Sequence, residues 1–417
     1  MKKIFIAAPH FPPSASPPAH RIRLLVKHLY QFQLYPVIFT INHRYREELA
    51  DPLMVELAGN QYEQITVNCF DQHKTRKWGI GDLGLRMLPF LYTALKRNAK
   101  KQKPAFILYP VPPWYIMIIA PFIKWSTGIP YGIDFIDPWV TTEKKKNIKG
   151  RLSQWVARRF EGFAVKRASI IFAVSQGILN DLVSRYPRVK NIPLVPVAYG
   201  VEINDFKAVS TDINAGKDWI MIRYIGALSD SMLTVTKELL TALKKIQQQQ
   251  KLAVEFIGTS YAGAGIATSR IGHIIDETET TNFVTEKPDR VSYSDALKLT
   301  GNADVLLLIG DMTIYYAASK LMGLIASQKP FFAFLHKESF PAKFLRECNY
   351  PHVVEYTEQA GELPEDKISE VVNCLANLCN NINAYMPVSI SNPLFQQHTA
   401  NAMTAVFAKN IKNVMHE

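Results

Sequence analysis

Ser319 and Lys320 open a short apolar helical segment, SKLMGLIAS, shortly after the strand-like run DVLLLI. A helix N-terminus carries partial positive charge, so a lysine in the first turn is disfavoured unless an anion lies beside it. Backbone N–H groups, the Ser319 hydroxyl and the Lys320 ammonium could together bind a diphosphate. The alternative is an ordinary N-cap serine followed by a solvated lysine.

Glycines follow several strand-like runs in the second half of the chain. Gly226 ends RYIG, Gly258 ends EFIG and Gly310 ends LLIG. A glycine lets the backbone approach a phosphate closely, although loops after strands often contain glycine for other reasons. The dinucleotide fingerprint GxGxxG and the Walker lysine pattern are absent from the sequence. Gly226 and Gly258 are therefore candidates for the same diphosphate site as Lys320.

Candidate residues in the first half carry acid, base and cationic groups. Asp137, in DFIDPW, ends a strand-like run, where its carboxylate could orient a hydroxyl or take its proton. The alternative is a turn or N-cap aspartate. His10 lies in the first loop and could line a binding site, unless it is simply packed or exposed. Arg21 and Arg23, just beyond, could meet an acidic ligand or a lipid phosphate, or be solvated.

The elements that must position these residues follow from hydrophobic periodicity. Short runs rich in Val, Ile, Phe and Leu alternate with helical patterns, which is typical of parallel sheets with crossover helices. The 417 residues also exceed what one core usually supports. We therefore predict an α/β fold of two Rossmann-like, doubly wound domains, 1–205 and 206–392, facing a shared cleft.

The net charge of +12 is unevenly distributed. Residues 1–205 hold 29 lysines and arginines against 14 acids, and the remainder holds 19 against 22. Such asymmetry favours an anionic partner for the first domain, unless the cations are merely solvated. Nucleic acid is not expected, because no reader motif is present. An anionic membrane surface is the predicted partner.

The segment 144–169 reads as a basic amphipathic helix. Trp155 and Phe160 belong to its apolar stripe, whereas Arg158 and Arg159 lie elsewhere on the cylinder. An apolar stripe more often packs into a core than against a bilayer. The basic face could still contact anionic lipid, at about 1 kcal/mol per cation.

The sequence favours a cytoplasmic location. The densest apolar region, 105–125, is interrupted by four prolines, so no transmembrane helix is expected. The four cysteines lack disulfide or zinc spacing, which suits a reducing compartment. No Asp-x-Asp motif occurs, so we expect neither a metal requirement nor a cofactor.

Five segments resemble, in their order, the GT-B glycosyltransferases of family 4, a retaining group. They are FPPSASPPAHRIRLLVKHL, DFIDPW, FAVSQGILNDL, VAYGVEINDF and NADVLLLI…ASKLMGLIASQKPFFAF, and they cover nearly the whole chain. The resemblance implies transfer of a sugar from a UDP- or GDP-linked donor to a lipid-linked or polysaccharide acceptor in bacterial cell-surface glycan synthesis. It also implies peripheral attachment at the inner face of the cytoplasmic membrane. A helix within 393–417 would pack back across the domains.

The resemblance assigns roles to individual residues. Lys320 matches the family lysine that holds the sugar nucleotide, and Asp137 matches an aspartate of the acceptor domain. Backbone around Arg290 and Val291 would hold the base.

The sequence also departs from the family pattern. Family glutamates that meet the donor fall on Tyr315 and Gly323, and a family arginine falls on Ala227. A non-catalytic, partner-binding relative and a nucleotide-sugar epimerase of the same fold are therefore the alternative functions.

Overall fold

The computed structural model describes residues 1–46, 50–140, 148–208, 217–260, 262, 265–312, 319–357 and 365–415. The chain forms two compact units, one of Met1–Gly200 with His398–Glu417 and one of Val201–Gln397. The division thus comes slightly before the predicted boundary at 205/206. Each unit contains one sheet of parallel strands joined by helices, so the predicted α/β fold class is confirmed.

The first unit is built on a seven-stranded sheet of order β3-β2-β1-β4-β5-β6-β7. Its strands are β1 Lys2–Ala7, β2 Leu34–Ile41, β3 Glu63–Val67, β4 Phe106–Val111, β5 Tyr131–Phe135, β6 Ile170–Ala173 and β7 Leu194–Pro196. Its helices are α1 Pro17–Leu29, α2 Leu53–Ala58, α3 Gln72–Arg76, α4 Leu83–Gln102, α5 Ala120–Thr127, α6 Ile148–Val165 and α7 Gln176–Arg185, and the C-terminal helix Ala400–Val414 also belongs to this unit.

The central strands of this sheet are continuous apolar runs because helices cover both faces. Every residue of β4 and β5 is buried. Strand β3 lies at the sheet edge and alternates between exposed and covered side chains. Its sequence, EQITV, is too polar to have been predicted as a buried strand.

Helix α1 carries an arginine into the core instead of toward a ligand. The Arg21 side chain is 0% exposed and forms two hydrogen bonds with Asp134 of β5, at 2.7 and 2.9 Å. It also donates to the carbonyl oxygen of Val197 at 2.9 Å. Arg23 is likewise buried, and burial together with the Arg23 charge lowers the pKa of His20 to about 3. The prediction that Arg21 and Arg23 contact acceptor or lipid is therefore corrected.

The C-terminal helix packs on the first unit and completes the surroundings of Arg21. The guanidinium lies 5.2 Å from the Phe407 ring centroid, and Phe407 packs at 4.3 Å on Phe172 of β6. Gly200 passes so close to this helix that an added Cβ would lie 2.7 Å from the Cα of Ala400. Within this unit the helix closes one face of the sheet over the buried pair.

Helix α6 buries a different face from the predicted one. Among its described side chains, the buried positions are Ala157, Glu161, Gly162, Ala164 and Val165. Trp155 and Phe160 are exposed instead, so these two members of the apolar stripe do not follow the usual tendency of such a stripe to pack into a core. Residues 141–147, which include the first lysines of that segment, lie outside the described residues. Small residues let α6 approach the sheet closely, which leaves the large rings outside.

The second unit has a six-stranded parallel sheet of order β10-β9-β8-β11-β12-β13. Its strands are β8 Ile220–Ile225, β9 Leu252–Ile257, β10 Val284–Lys287, β11 Val305–Ile309, β12 Phe331–His336 and β13 Val353–Tyr356. Its helices are α8 Leu233–Gln247, α9 Gly272–Glu277, α10 Tyr293–Gly301, α11 Ser319–Ser327, α12 Phe340–Glu347, α13 Glu365–Asn380 and α14 Pro393–Gln396. No helix in the described parts of either unit combines the length and apolar character needed to cross a bilayer.

We predict that the buried Arg21–Asp134 pair dominates the stability of the first unit. Asp134→Ala should lower the free energy of unfolding by about 3 kcal/mol or more, because it strands a buried guanidinium. Urea denaturation followed by tryptophan fluorescence measures this, since five of the six tryptophans lie in the first unit.

Asp218→Ala is the matched control, because Asp218 also pairs with a cation, Lys251, but is exposed. It should leave the urea midpoint of unfolding close to that of the wild type, because water screens an exposed ion pair. Equal losses in the two variants would contradict the importance of the buried pair.

Candidate functional site

The order of the second sheet reverses between β8 and β11, which are neighbours in space. Chains leaving two such strands turn to opposite faces of the sheet, so a crevice opens beyond their carboxyl ends. Gly226 follows β8 and Gly310 follows β11, and α11 brings Lys320 to the same edge. The strand order therefore places the predicted diphosphate residues at the position where this type of sheet binds ligands.

Lys320 is a covered cation held by an aromatic ring. Its Nζ donates to Tyr224 Oη at 2.7 Å and lies 4.1 Å from the centroid of the Tyr224 ring. Among the described residues, no carboxylate forms an ion pair with Lys320. Burial lowers the pKa of this lysine to about 7. A desolvated cation without a counter-ion is costly, so this position favours an anionic ligand.

Gly226 makes room for the lysine. A Cβ added at this glycine would lie 2.4 Å from both Cε and Nζ of Lys320. Its φ of +129° is also one that other residues rarely adopt. Any side chain at this position would displace the ammonium, so the glycine and the lysine form one structural unit.

Gly258 and Arg290 lie beside Gly226. An added Cβ at Gly258 would be 3.9 Å from the Cα atoms of both Gly226 and Arg290. The structure thus brings three of the predicted donor-site residues together. The amide of Gly226 donates to Ile257 O, however, and that of Gly258 donates to Lys287 O, both within the sheet. The glycines' own amides are therefore paired within the sheet, and the two glycines supply space beside Lys320; the prediction that the amides following them meet a diphosphate stays a prediction.

The glycine-rich loop after β9 is organised by a carboxylate of the protein itself. Glu286 accepts hydrogen bonds from the amides of Arg270 and Ile271, at 2.8 and 3.2 Å. Asp289 accepts from the amide of Gly265 at 2.9 Å. These three amides are therefore already paired within the protein, so Lys320 is the main candidate for contact with an anion among the described residues of this edge.

The remaining predicted donor residues are placed less fully. Ser319 begins α11, but its side chain lies outside the described part of the structure, as does all of Tyr315. Val291 directly precedes Ser292, the N-cap of α10. A Cβ at Gly323 would meet nothing within 4 Å, so packing does not explain why a glutamate is missing there.

The first sheet has its own reversal, between β1 and β4. His10 follows β1, Trp114 follows β4 and Asp137 follows β5, so all three lie beyond the carboxyl edge of this sheet. Asp137 is exposed, and desolvation by its surroundings raises its pKa above the usual value. A carboxylate with a raised pKa is better suited to accept a proton than an ordinary one.

Aromatic rings surround Asp137. Trp114 Nε1 donates to the Asp137 carbonyl oxygen at 3.2 Å, and the Trp114 and Trp139 rings are parallel with centroids 6.4 Å apart. Tyr115 meets Trp139 edge-on at 4.9 Å. These rings therefore offer flat apolar surfaces next to the Asp137 backbone.

His10 lines a cavity of about 130 Å³ in the first unit. Ser14, Arg46, Leu83 and Arg86 also line it. The nearby N-cap of α4, Asp82, has its pKa raised by burial, against the opposing charges of His10 and Arg86. His10 therefore lines a small recess in the first unit, and its predicted place on the acceptor side stays a prediction.

Some residues of these sites escaped sequence reasoning. The contact of Tyr224 with Lys320 was not predicted, although Tyr224 lies on β8, only two positions before Gly226. Trp114 and Tyr115 read as part of an apolar run interrupted by prolines, which hid their position at the end of β4. Arg158 and Arg159 are exposed on α6. Among the described residues, no cluster of His, Cys, Asp and Glu could hold a metal ion.

No protein-family model and no curated protein matches this chain. Solved structures do. Anabaena HepE in complex with UDP is 12% identical with a TM-score of 0.59, over 99% of this chain and 100% of that one. Sucrose-phosphate synthase from Thermosynechococcus elongatus is 14% identical with a TM-score of 0.53, over 100% and 95% of the two chains. The apo galactosyltransferase WaaB of the lipopolysaccharide outer core is 13% identical with a TM-score of 0.53, over 100% and 99%.

These relatives are glycosyltransferases made of two Rossmann-like domains. The chain has the GT-B fold. At these identities the likeness establishes the fold and no more.

The position of Lys320 within the GT-B fold should cost stability. Its pKa is lower in the folded chain than the unfolded value of about 10.4, so the folded state disfavours the charged form. Lys320→Met should therefore raise the free energy of unfolding below pH 7, by up to about 4 kcal/mol at about 1.4 kcal/mol for each unit of the shift. The gain should shrink between pH 7 and 10, where the folded lysine is already neutral.

Chemical denaturation followed by circular dichroism at pH 6, 8 and 10 measures this difference. Lys245→Met, at an exposed position of α8, is the control and should stay within about 0.5 kcal/mol of wild type. A Lys320→Met variant less stable than wild type at pH 6 would contradict the uncompensated charge.

Proposed function

We propose that this protein is a glycosyltransferase that moves a sugar from a nucleotide-sugar donor, bound by the second unit, to an acceptor bound by the first. The observation that carries the proposal is Lys320, a covered cation at the strand-order reversal with no carboxylate partner among the described residues. A nucleoside diphosphate supplies the anion that this position lacks.

The proposed donor is linked to UDP or GDP. HepE, a relative in fold, has been solved with UDP and with UDP-glucose, which supports a nucleotide sugar without deciding the base. In the proposal, backbone around Arg290 and Val291 contacts the base, next to Gly258. No family glutamate is present at Gly323, so ribose or sugar recognition must use other groups.

Lys320 would act mainly on the leaving group. Negative charge grows on the diphosphate as the bond to the sugar breaks, and a preorganised ammonium stabilises that charge more strongly than the ground state. Phosphate next to Lys320 also favours its protonated form. Binding of the donor would thus take up a proton near pH 7. The proposed reaction retains configuration and needs no metal or cofactor.

The proposed acceptor is lipid-linked or a growing polysaccharide of the bacterial cell surface. Asp137 would orient its hydroxyl or take its proton, with Trp114 and Trp139 available to pack on a sugar ring. The proposed location is cytoplasmic, peripheral at the inner face of the cytoplasmic membrane. A non-catalytic relative is the second candidate, because Gly323 leaves the family glutamate unreplaced.

Isothermal titration with UDP, GDP and ADP, without added metal, tests the donor site. One nucleotide should bind selectively, and Lys320→Ala should weaken it about 10- to 100-fold, since a hydrogen bond to a charged group contributes roughly 1.5–3 kcal/mol. Lys245→Ala should bind like wild type. Unchanged affinity in Lys320→Ala would contradict the proposed role of this lysine.

Asp137→Asn separates an enzyme from a binding protein. This variant should keep the nucleotide affinity of the wild type, while release of the nucleotide from its sugar conjugate in the presence of acceptor falls by about 100-fold or more. Nucleotide binding without turnover in the wild type, across lipid-linked and glycan acceptors, would favour the non-catalytic relative.

A further inference from the structure

Large aromatic rings stand uncovered on the outer surface of α5 and α6. Trp125 is 67% exposed and Phe122 is 43% exposed, although both lie in a helix that packs on the sheet. Phe163 of α6 joins them, with its ring centroid 5.4 Å from Phe122 and 6.4 Å from Trp125. We call Phe122, Trp125 and Phe163 the aromatic patch. Three large rings in mutual contact at the surface form an apolar area that water wets poorly.

The packing of α6 explains why the rings point outward. Its buried positions near the patch, Ala164 and Val165, are small and pack on the sheet, so the bulkier Phe163 is excluded from that face. Lys124 joins α5 to the segment that follows α6, because its Nζ donates to Arg167 O at 3.2 Å and to Ser169 Oγ at 3.3 Å. These hydrogen bonds connect the two parts of the chain that carry the patch and its neighbouring cations.

Cations border the patch. The Arg167 guanidinium lies 4.5 Å from the Phe163 ring centroid. More than one helical turn toward the N-terminus of α6, the Arg159 guanidinium lies 5.5 Å from the ring centroid of the exposed Trp155. Arg158 is exposed on α6, and Lys166 is exposed directly after the end of that helix. We call Arg158, Arg159, Lys166 and Arg167 the basic rim.

The charge of this face is not offset by acids. The sequence of α5 contains none, and that of 148–169 contains one, Glu161. The Glu161 side chain is fully buried and pairs with Arg185 of α7 at 3.2 Å, so it does not neutralise the rim. The outer face of α5 and α6 thus presents aromatic rings and positive charge together.

We infer that the aromatic patch and the basic rim bind the surface of an anionic lipid membrane. Aromatic side chains prefer the boundary between headgroups and acyl chains, and arginine and lysine beside them meet lipid phosphates. A second copy of the chain fits worse, because the two basic rims would repel each other. The inference rests on the proposed membrane location and names the surface that makes the contact.

Vesicle cosedimentation of the full chain tests this surface. Wild type should bind phosphatidylcholine–phosphatidylglycerol vesicles at least about tenfold more tightly than vesicles of phosphatidylcholine alone. The double variant Phe122→Ser/Trp125→Ser should lose at least about tenfold in partitioning to the mixed vesicles. Arg158→Gln/Arg159→Gln should lose the preference for anionic lipid but keep part of the binding at low salt.

Trp219→Ser is the matched control, because Trp219 is also an exposed tryptophan beside a cation, Lys217, but belongs to the second unit. It should bind vesicles like wild type. Circular dichroism and UDP or GDP affinity, measured on the same samples, should be unchanged in every variant. If the wild type binds neither UDP nor GDP, the donor proposal is refuted, and the vesicle result still tests the membrane surface.

Two outcomes would overturn the inference. Equal binding of wild type and the Phe122→Ser/Trp125→Ser variant to mixed vesicles would remove the patch from the membrane contact. Absence of vesicle binding, together with a wild-type dimer in ultracentrifugation that the same variant abolishes, would assign the patch to a second copy of the chain.

Discussion

Each candidate site depends on the reversal of strand order within its parallel sheet. Because neighbouring strands at the reversal send their following helices to opposite faces, the edge between them stays uncovered. In the first sheet this edge receives His10 after β1 and Trp114 after β4, and in the second it receives Gly226 after β8 and the helix that carries Lys320. The backbone thus determines where each site lies, and the side chains determine what it can bind.

Lys320 lowers the stability of the second unit at the position where we propose that the donor binds. An ammonium on the face of Tyr224, without a carboxylate partner in the described structure, makes the unliganded fold less stable than it could be. Gly226 keeps the space that the lysine needs. The buried cation of the first unit is fully compensated, because Arg21 pairs with the Asp134 carboxylate and donates to two backbone carbonyl oxygens. One cation has a structural role, and the other is suited to bind a ligand.

Strong periodic signals made the fold predictable, whereas the chemistry of single residues depended on tertiary contacts. The apolar runs predicted every strand except β3, whose polar edge sequence carries no such signal. Arg21 and Arg23 were expected at a ligand because cations usually lie at the surface, and only the position of Asp134 across the sheet reveals their burial. Gly226 was correctly placed near Lys320, but sequence could not show that its amide pairs with Ile257. The exposure of Trp155 could not be predicted for a similar reason, because smaller residues of α6 occupy its buried face.

The protonation state of the Lys320 ammonium tests the proposed donor site most directly. Its titration can be followed by NMR after labelling of the lysines with 13C-methyl groups, with the Lys320 resonance assigned from its absence in Lys320→Arg. We predict that Lys320 titrates with a midpoint near pH 7 in the unliganded protein. This midpoint should move to higher pH when UDP or GDP is added. A midpoint near the ordinary lysine value of about 10.4, unaffected by either nucleotide, would contradict it.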